Sequence, residues 1–338
     1  MNEETSMKIL LIPDPSAPNG QDAFCREFSK LARERGHETS AQPAPAAESA
    51  LEKMLSEGFA AKADIVIVNG VQPEVFKAAQ AHGKKTAFRL VDAGSGENSE
   101  TQEQARAMAL AADRLLLPSR HLVAVAQGWG CNGNIRHVPY AYDRIMFGQI
   151  ALLTPEVSKP SAFPIVSCVP LRRESQPGLE TMFSALARLR LDYHLSIIGE
   201  GPRLEALRQR ARDLRIADRI SFLGALHPSR VGDCLRTAKA YVEPCGLDCF
   251  PNWTLQALAA GCPVIAARSG ALSEIIRHEQ NGLCFPEGDP AALAEAVVTL
   301  YSLRGLSIQL IAEGIKTVEK HDWISTATAA LSAVEDLA

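Results

Sequence analysis

The chain reads as an α/β protein made of two doubly wound units, and three observations lead there. Apolar runs alternate with amphipathic helical stretches along its length, the mark of parallel strands joined through helices. Its 338 residues exceed one core of ordinary size and match about two domains. Between the halves, residues 143–164 carry Pro155, Pro160 and Pro164 with little patterning, as a hinge does. The expected domains are 1–150 and 160–320.

In the first unit, Lys8-Ile-Leu-Leu-Ile-Pro13 reads as a buried strand, followed by a loop, Asp14–Gly20, rich in Asp, Pro, Asn and Gly. Helix 21–36 puts Phe24, Phe28, Leu31 and Ala32 on one face and Arg26, Lys30, Arg33 and Arg35 largely on the other. The basic face has two readings, a solvated surface or peripheral contact with a membrane or lipid acceptor, the latter diluted by Glu27 and Glu34. Residues 41–47 are a low-complexity loop. Further strands are expected at 64–69, 85–91 and 114–118. After the hinge, strands are expected near 165–169, 195–199, 220–223, 240–243 and 263–267, without an internal repeat.

Composition limits the partners. With 46% apolar and 22% charged residues both units can bury a core, and a net charge of −4 argues against a nucleic-acid surface. The eight cysteines form no Cys-x-x-Cys pair and have no His at zinc spacing, so reduced thiols and a cytoplasmic protein are expected. Cys245 and Cys249 stand four apart, but no His lies near to complete a metal site. No signal peptide is visible and no run reaches 18 apolar residues.

The most informative stretch runs from Val242 to Ala266: a strand, a loop ending in Phe250-Pro251, a helix, Gly261-Cys262-Pro263 and a second strand. Pro251 suits the position before a helix, where its missing N–H costs nothing. The amides of Asn252, Trp253 and Thr254 then project from a positive helix end, which attracts phosphate. Asp248 on the loop and Gln256 in the helix put polar side chains on either side of that end. The arrangement suits a nucleotide diphosphate sugar.

This stretch resembles the signature of the family 4 retaining glycosyltransferases, in which a Glu, seven residues and a second Glu surround a Phe-Pro-Asn turn. Ser196-Ile-Ile-Gly-Glu-Gly-Pro202, Ile220-Ser-Phe-Leu-Gly224, Ser269–Ile276 and Asn281–Leu293 are similar to the family's next motifs in the same order, so the likeness covers roughly residues 160–300. It implies the GT-B architecture, two Rossmann-like domains facing across a cleft, with the last helix, 321–338, packing back on the first domain. The first domain would bind the acceptor and the second the donor.

What the resemblance implies for single residues is carried over position by position. Asp248 stands for the acid that contacts the donor sugar and Gln256 for the acid that holds the ribose. Asp keeps the charge with a shorter reach; Gln keeps an acceptor and loses the charge. Where the family has an Arg and a Lys for the diphosphate, this chain keeps Arg172 and has Pro177 at the Lys position. Arg173 is the candidate substitute. Gly199, Glu200 and Gly201 would line the nucleotide cleft, with Glu200 alternatively a turn residue. Phe250, Pro251, Asn252, Trp253 and Thr254 would frame the phosphates, and Gly20 would let the donor approach, unless Asn19-Gly20 is an ordinary turn. In the acceptor domain no His follows the fourth strand. Asp92, before Ala93-Gly-Ser-Gly96, is a candidate acceptor contact or a cap.

The expected function is metal-independent transfer of a sugar, with retention, from a nucleotide diphosphate sugar to an acceptor that is a glycan, a lipid-linked molecule or a protein. No cofactor is expected. Two rivals are a catalytically impaired GT-B protein serving as a binding or stabilising subunit, motivated by the altered acids and the missing Lys, and a different sugar-nucleotide enzyme such as an epimerase.

Overall fold

A computed structural model describes residues 6–14, 23–90, 100–142, 162–172, 175–245 and 252–337. The chain forms two compact units. One comprises the chain up to Ala141 together with Trp323–Ala338, and the other Tyr142–Leu247 with Pro251–Asp322.

The first unit holds β1 (Lys8–Ile12), α1 (Ala23–Glu34), β2 (Glu38–Ala41), α2 (Glu48–Ser56), α3 (Gly58–Ala61), β3 (Ile65–Asn69), α4 (Pro73–Ala81), β4 (Lys85–Arg89), α5 (Glu100–Ala111), β5 (Arg114–Leu117), α6 (Arg120–Gly128) and β6 (Ile135–His137). Its strands pair in parallel in the order β2-β1-β3-β4-β5-β6. Because successive side chains point to opposite faces, Ile9, Leu11, Ile65 and Ile67 enter one core and Leu10, Ile12, Val66 and Val68 the other. A parallel sheet covered on both sides gives continuous apolar runs, which is why these strands are visible in the sequence.

The second unit holds β7 (Phe163–Cys168), α7 (Gln176–Leu186), β8 (Tyr193–Ile198), α8 (Leu204–Asp213), β9 (Ile220–Phe222), α9 (Pro228–Thr237), β10 (Ala240–Glu243), α10 (Asn252–Ala259), β11 (Val264–Ala267), α11 (Leu272–Ile275), β12 (Leu283–Phe285), α12 (Pro290–Ser302) and α13 (Arg304–Val318). The strand order is β12-β11-β10-β7-β8-β9, again parallel. From β7 the chain winds outward through β8 to β9, then returns to β7's other side and winds outward through β11 to β12. The turning point lies between β7 and β10, and in open α/β sheets the crevice at the carboxyl end of that point is where ligands bind.

Three strands are additions to the sequence reading: β2, β6 and β12. β2 is Glu-Thr-Ser-Ala at the sheet edge with no buried residue, and β6 and β12 are three residues long. None offers the apolar run that marks an interior strand.

α1 buries Phe24, Cys25, Phe28, Ser29 and Ala32. Its apolar face is therefore committed to the core, and any contact with a membrane surface would be left to its basic edge. On that edge Arg26 pairs with Glu27 at 2.9 Å. The last helix, α14 (Trp323–Glu335), packs on α1, adding Ala330, Leu331, Ala333 and Val334 to the same core. Thr326 Oγ1 donates to Pro139 O at 2.7 Å, and Glu335 faces Arg35 at 3.4 Å. Among the described residues no single helix is long and apolar enough to cross a membrane. Leu331→Ala is expected to lower stability by about 2–5 kcal/mol, the cost of emptying a fully buried Leu site; urea unfolding measures it, and a loss under about 0.5 kcal/mol, the size of a surface effect, would show that α14 does not share this core.

Candidate functional site

β7 and β10 end side by side in the second sheet, since Ala240 and Tyr241 pair in register with Ile165 and Val166. The loop after β7 is clamped to the end of β8. Val169 N donates to Ile198 O at 3.0 Å, Leu171 N to Glu200 O at 2.9 Å, and Arg203 N to Leu171 O at 3.0 Å. This contact demands glycine. Gly199 has φ +144° and a Cβ there would stand 2.1 Å from Val169 O; Gly201 has φ +154° and its Cβ would stand 2.2 Å from Leu171 O. The two glycines thus fix the path of the segment that ends in Arg172, whose side chain is half-buried.

Glu200, between them, is exposed, and its Oε1 accepts from Ala225 N at 3.1 Å, tying the end of β8 to the residues after β9. The contact is that of a turn residue. Pro177 lies in the first turn of α7, where its ring fits and no N–H is needed. Gly178 follows because a Cβ would come within 2.7 Å of Pro244 O and 2.6 Å of Cys245 Cβ. α7 is therefore seated directly on the segment that leaves β10.

α10 begins at Asn252, so its first-turn N–H groups, Asn252–Thr254, project from its positive end. Asn252 and Trp253 are half-buried, whereas Thr254 is fully buried and Gln256 is 5% exposed. Gln256 Nε2 donates to Asn252 Oδ1 at 3.0 Å, which leaves Gln256 Oε1 buried and accepting no hydrogen bond among the described residues. Of the residues singled out in the sequence, Arg172 and Asn252–Gln256 belong to the two segments at the turning point, and Gly199–Gly201 support the first. Gly20, Asp92, Arg173, Asp248, Phe250 and Pro251 lie outside the described residues. Among the described residues no three His, Cys, Asp or Glu side chains come together to hold a metal.

One residue of this region escaped the sequence reading. Glu243 ends β10 buried, accepting from Tyr241 Oη at 2.7 Å with the Thr254 hydroxyl beside it. Burial pushes its carboxyl up to about 8, against the pull of those two hydroxyls. Cys168, at the end of β7, is pushed up by burial and then by Glu243. A Glu that closes an apolar strand two residues after a Tyr, on the same strand face, is the signal that was available. Glu243 thus stands between the end of β10 and the Thr254 hydroxyl in the first turn of α10.

Residues 164–302 match the family Glycosyl transferases group 1. Among curated relatives, the chain is 31% identical over 169 residues to the phosphatidyl-myo-inositol mannosyltransferase of Mycobacterium leprae, covering 49% of this chain and 44% of the relative. It is also 31% identical over 153 residues to the D-inositol 3-phosphate glycosyltransferase of Acidothermus cellulolyticus, covering 44% and 34%. The chain spans about half or less of the length of these relatives. Among solved structures, Anabaena Alr3699/HepE in complex with UDP and glucose superposes with a TM-score of 0.80 at 14% identity, covering 97% of this chain and 99% of that one. Sucrose-phosphate synthase from Thermosynechococcus elongatus gives 0.77 at 20% identity, covering 97% and 98%. The fold is GT-B, and the resemblance to the family 4-like glycosyltransferases holds.

The raised Glu243 carboxyl makes stability depend on pH. Between the ordinary carboxylate range near 4.5 and about 8 the folded chain keeps a proton that the unfolded chain has released. Stability from this group is therefore full below pH 4.5, falls as pH rises to about 8, at up to roughly 1.4 kcal/mol per unit, and levels off above. Glu243→Gln is expected to flatten that slope in chemical unfolding at pH 5.5, 7 and 8.5; an unchanged slope would show that Glu243 titrates as an ordinary carboxylate.

Proposed function

We propose, taking the Glycosyl transferases group 1 unit as the premise, that the chain moves a sugar from a nucleotide diphosphate sugar to an acceptor hydroxyl. The observation that carries this reading is the β7/β10 turning point, where β7 leads to Arg172 and the neighbouring β10 is the strand that precedes α10, whose first turn begins at Asn252. Such an end offers oriented N–H donors, and Arg172 adds a fork suited to phosphate. Donors fixed in place stabilise charge as it develops on a departing diphosphate without reorganising.

In this proposal Arg172, helped by Arg173, and the amides of Asn252–Thr254 hold the diphosphate, and Asp248 orients the sugar. Gln256 Oε1, buried and without a donor among the described residues, accepts from a ribose hydroxyl. The acceptor hydroxyl attacks the sugar on the face the phosphate leaves, giving retention, and the departing phosphate oxygen takes the hydroxyl's proton. This sequence needs neither a covalent enzyme nucleophile nor a metal. The acceptor is proposed to be a glycan, a lipid-linked molecule or a protein. A cytoplasmic setting belongs to the same proposal, with membrane contact, if used, through the basic edge of α1.

Calorimetric titration with UDP, GDP and ADP tests the site. One nucleotide should bind the unaltered protein, and Arg172→Ala should weaken it about tenfold or more, as loss of a charge-assisted phosphate contact does. Equal affinity in both proteins would place the phosphate elsewhere. Binding without sugar transfer or donor hydrolysis would instead favour the binding-subunit reading.

A further inference from the structure

The first unit carries a buried cation that its described surroundings leave unneutralised. Arg89 ends β4 at the carboxyl edge of the sheet and is 6% exposed. Its guanidinium carbon lies over the Phe24 ring, 4.3 Å from the centroid, and over the Tyr140 ring at 5.4 Å. Among the described residues these rings are its only partners, and no carboxylate pairs with it. Rings attract a cation through their faces but take none of its five N–H donors. Arg cannot shed its charge to escape burial, as a Lys can.

The neighbourhood adds a second unmet group. Asn69 ends β3, pairs in register with Arg89 and so projects to the same sheet face, under α1. It is fully buried. Its Nδ2 donates to Ile12 O at 3.0 Å and to Cys25 Sγ at 3.4 Å, spanning the point between β1 and β3 where this sheet reverses its winding. Its Oδ1 accepts nothing among the described residues. Among the described residues the acidic side chain at this edge is Asp14, which lies against Gly70, where a Cβ would meet its Oδ2 at 2.9 Å, and no ion pair joins it to Arg89. A cation with unused donors and an amide oxygen with unused acceptor capacity thus stand together at the strand ends where α/β units take ligands.

We propose that Arg89 anchors an oxyanion subsite in the first unit, taking the phosphate or carboxylate group of an anionic acceptor, while Asn69 Oδ1 accepts from a hydroxyl of the same molecule. Calling the ligand the acceptor rests on the glycosyltransferase reading; the oxyanion site itself does not. The rings of Phe24 and Tyr140 hold the guanidinium in place, and a fork of N–H donors selects two oxygens of one group.

The full chain is titrated calorimetrically with glucose 6-phosphate, glucuronate and glucose. At least one of the two anionic sugars should bind, at least tenfold tighter than glucose, and which one does separates phosphate from carboxylate. Arg89→Gln should lose that preference with UDP, GDP or ADP binding unchanged, whereas Arg172→Ala should keep it. If Arg89→Gln does not fold, Arg89→Lys, which keeps the charge and loses the fork, should weaken the anionic sugar several-fold. Binding of all three sugars alike, or an anion preference that survives in the folded Arg89 variant, would overturn the subsite. Loss of nucleotide binding alone would overturn the donor reading and leave the subsite standing.

Discussion

Three close approaches of backbone to backbone hold the second unit's carboxyl edge together. Gly199 lies against Val169 O, Gly201 against Leu171 O, and Gly178 against Pro244 O, each too near for any side chain. Through them the segment after β7 is locked to β8, and α7 is pressed onto the segment that leaves β10. Those segments lead to Arg172 and to α10. A larger residue at any of the three would have to move main chain, which a packed interior resists, so what Arg172 and α10 can do together depends on these three glycines.

Below this edge lies a second constraint of a different kind. Glu243 occupies the space between the end of β10 and the first turn of α10, where an apolar residue would leave the buried Tyr241 hydroxyl without its acceptor. Buried, its carboxyl holds a proton well above the ordinary range, so it both accepts from Tyr241 and has a proton to donate. An arrangement of this kind fixes direction more than it adds stability.

Much of the architecture was legible because both sheets are parallel and covered on both faces, so their inner strands appear as unbroken apolar runs. β2 was not, since Glu38–Ala41 pairs on one side only and buries nothing. The residues of the proposed donor site stood out as a sequence motif, because Asn252 opening a helix and the glycines flanking Glu200 declare their backbone geometry locally. Glu200 shows the limit: its neighbours' chemistry suggested a ligand contact, and its described bond is to Ala225 N. Glu243 and Arg89 were hidden for a common reason. Each is a charged residue closing an apolar strand, and only the fold reveals that the side chain turns inward to Tyr241 and Thr254, or to Phe24 and Tyr140.

The diphosphate is proposed to be held where β7 and β10 end, between Arg172 and the first turn of α10. A crystal soaked with the nucleotide that binds would measure this directly. Phosphate oxygens should lie within about 3.2 Å of amide nitrogens in the first turn of α10, with the Arg172 guanidinium on the same group. Phosphates resting away from both, in well-defined density, would contradict it.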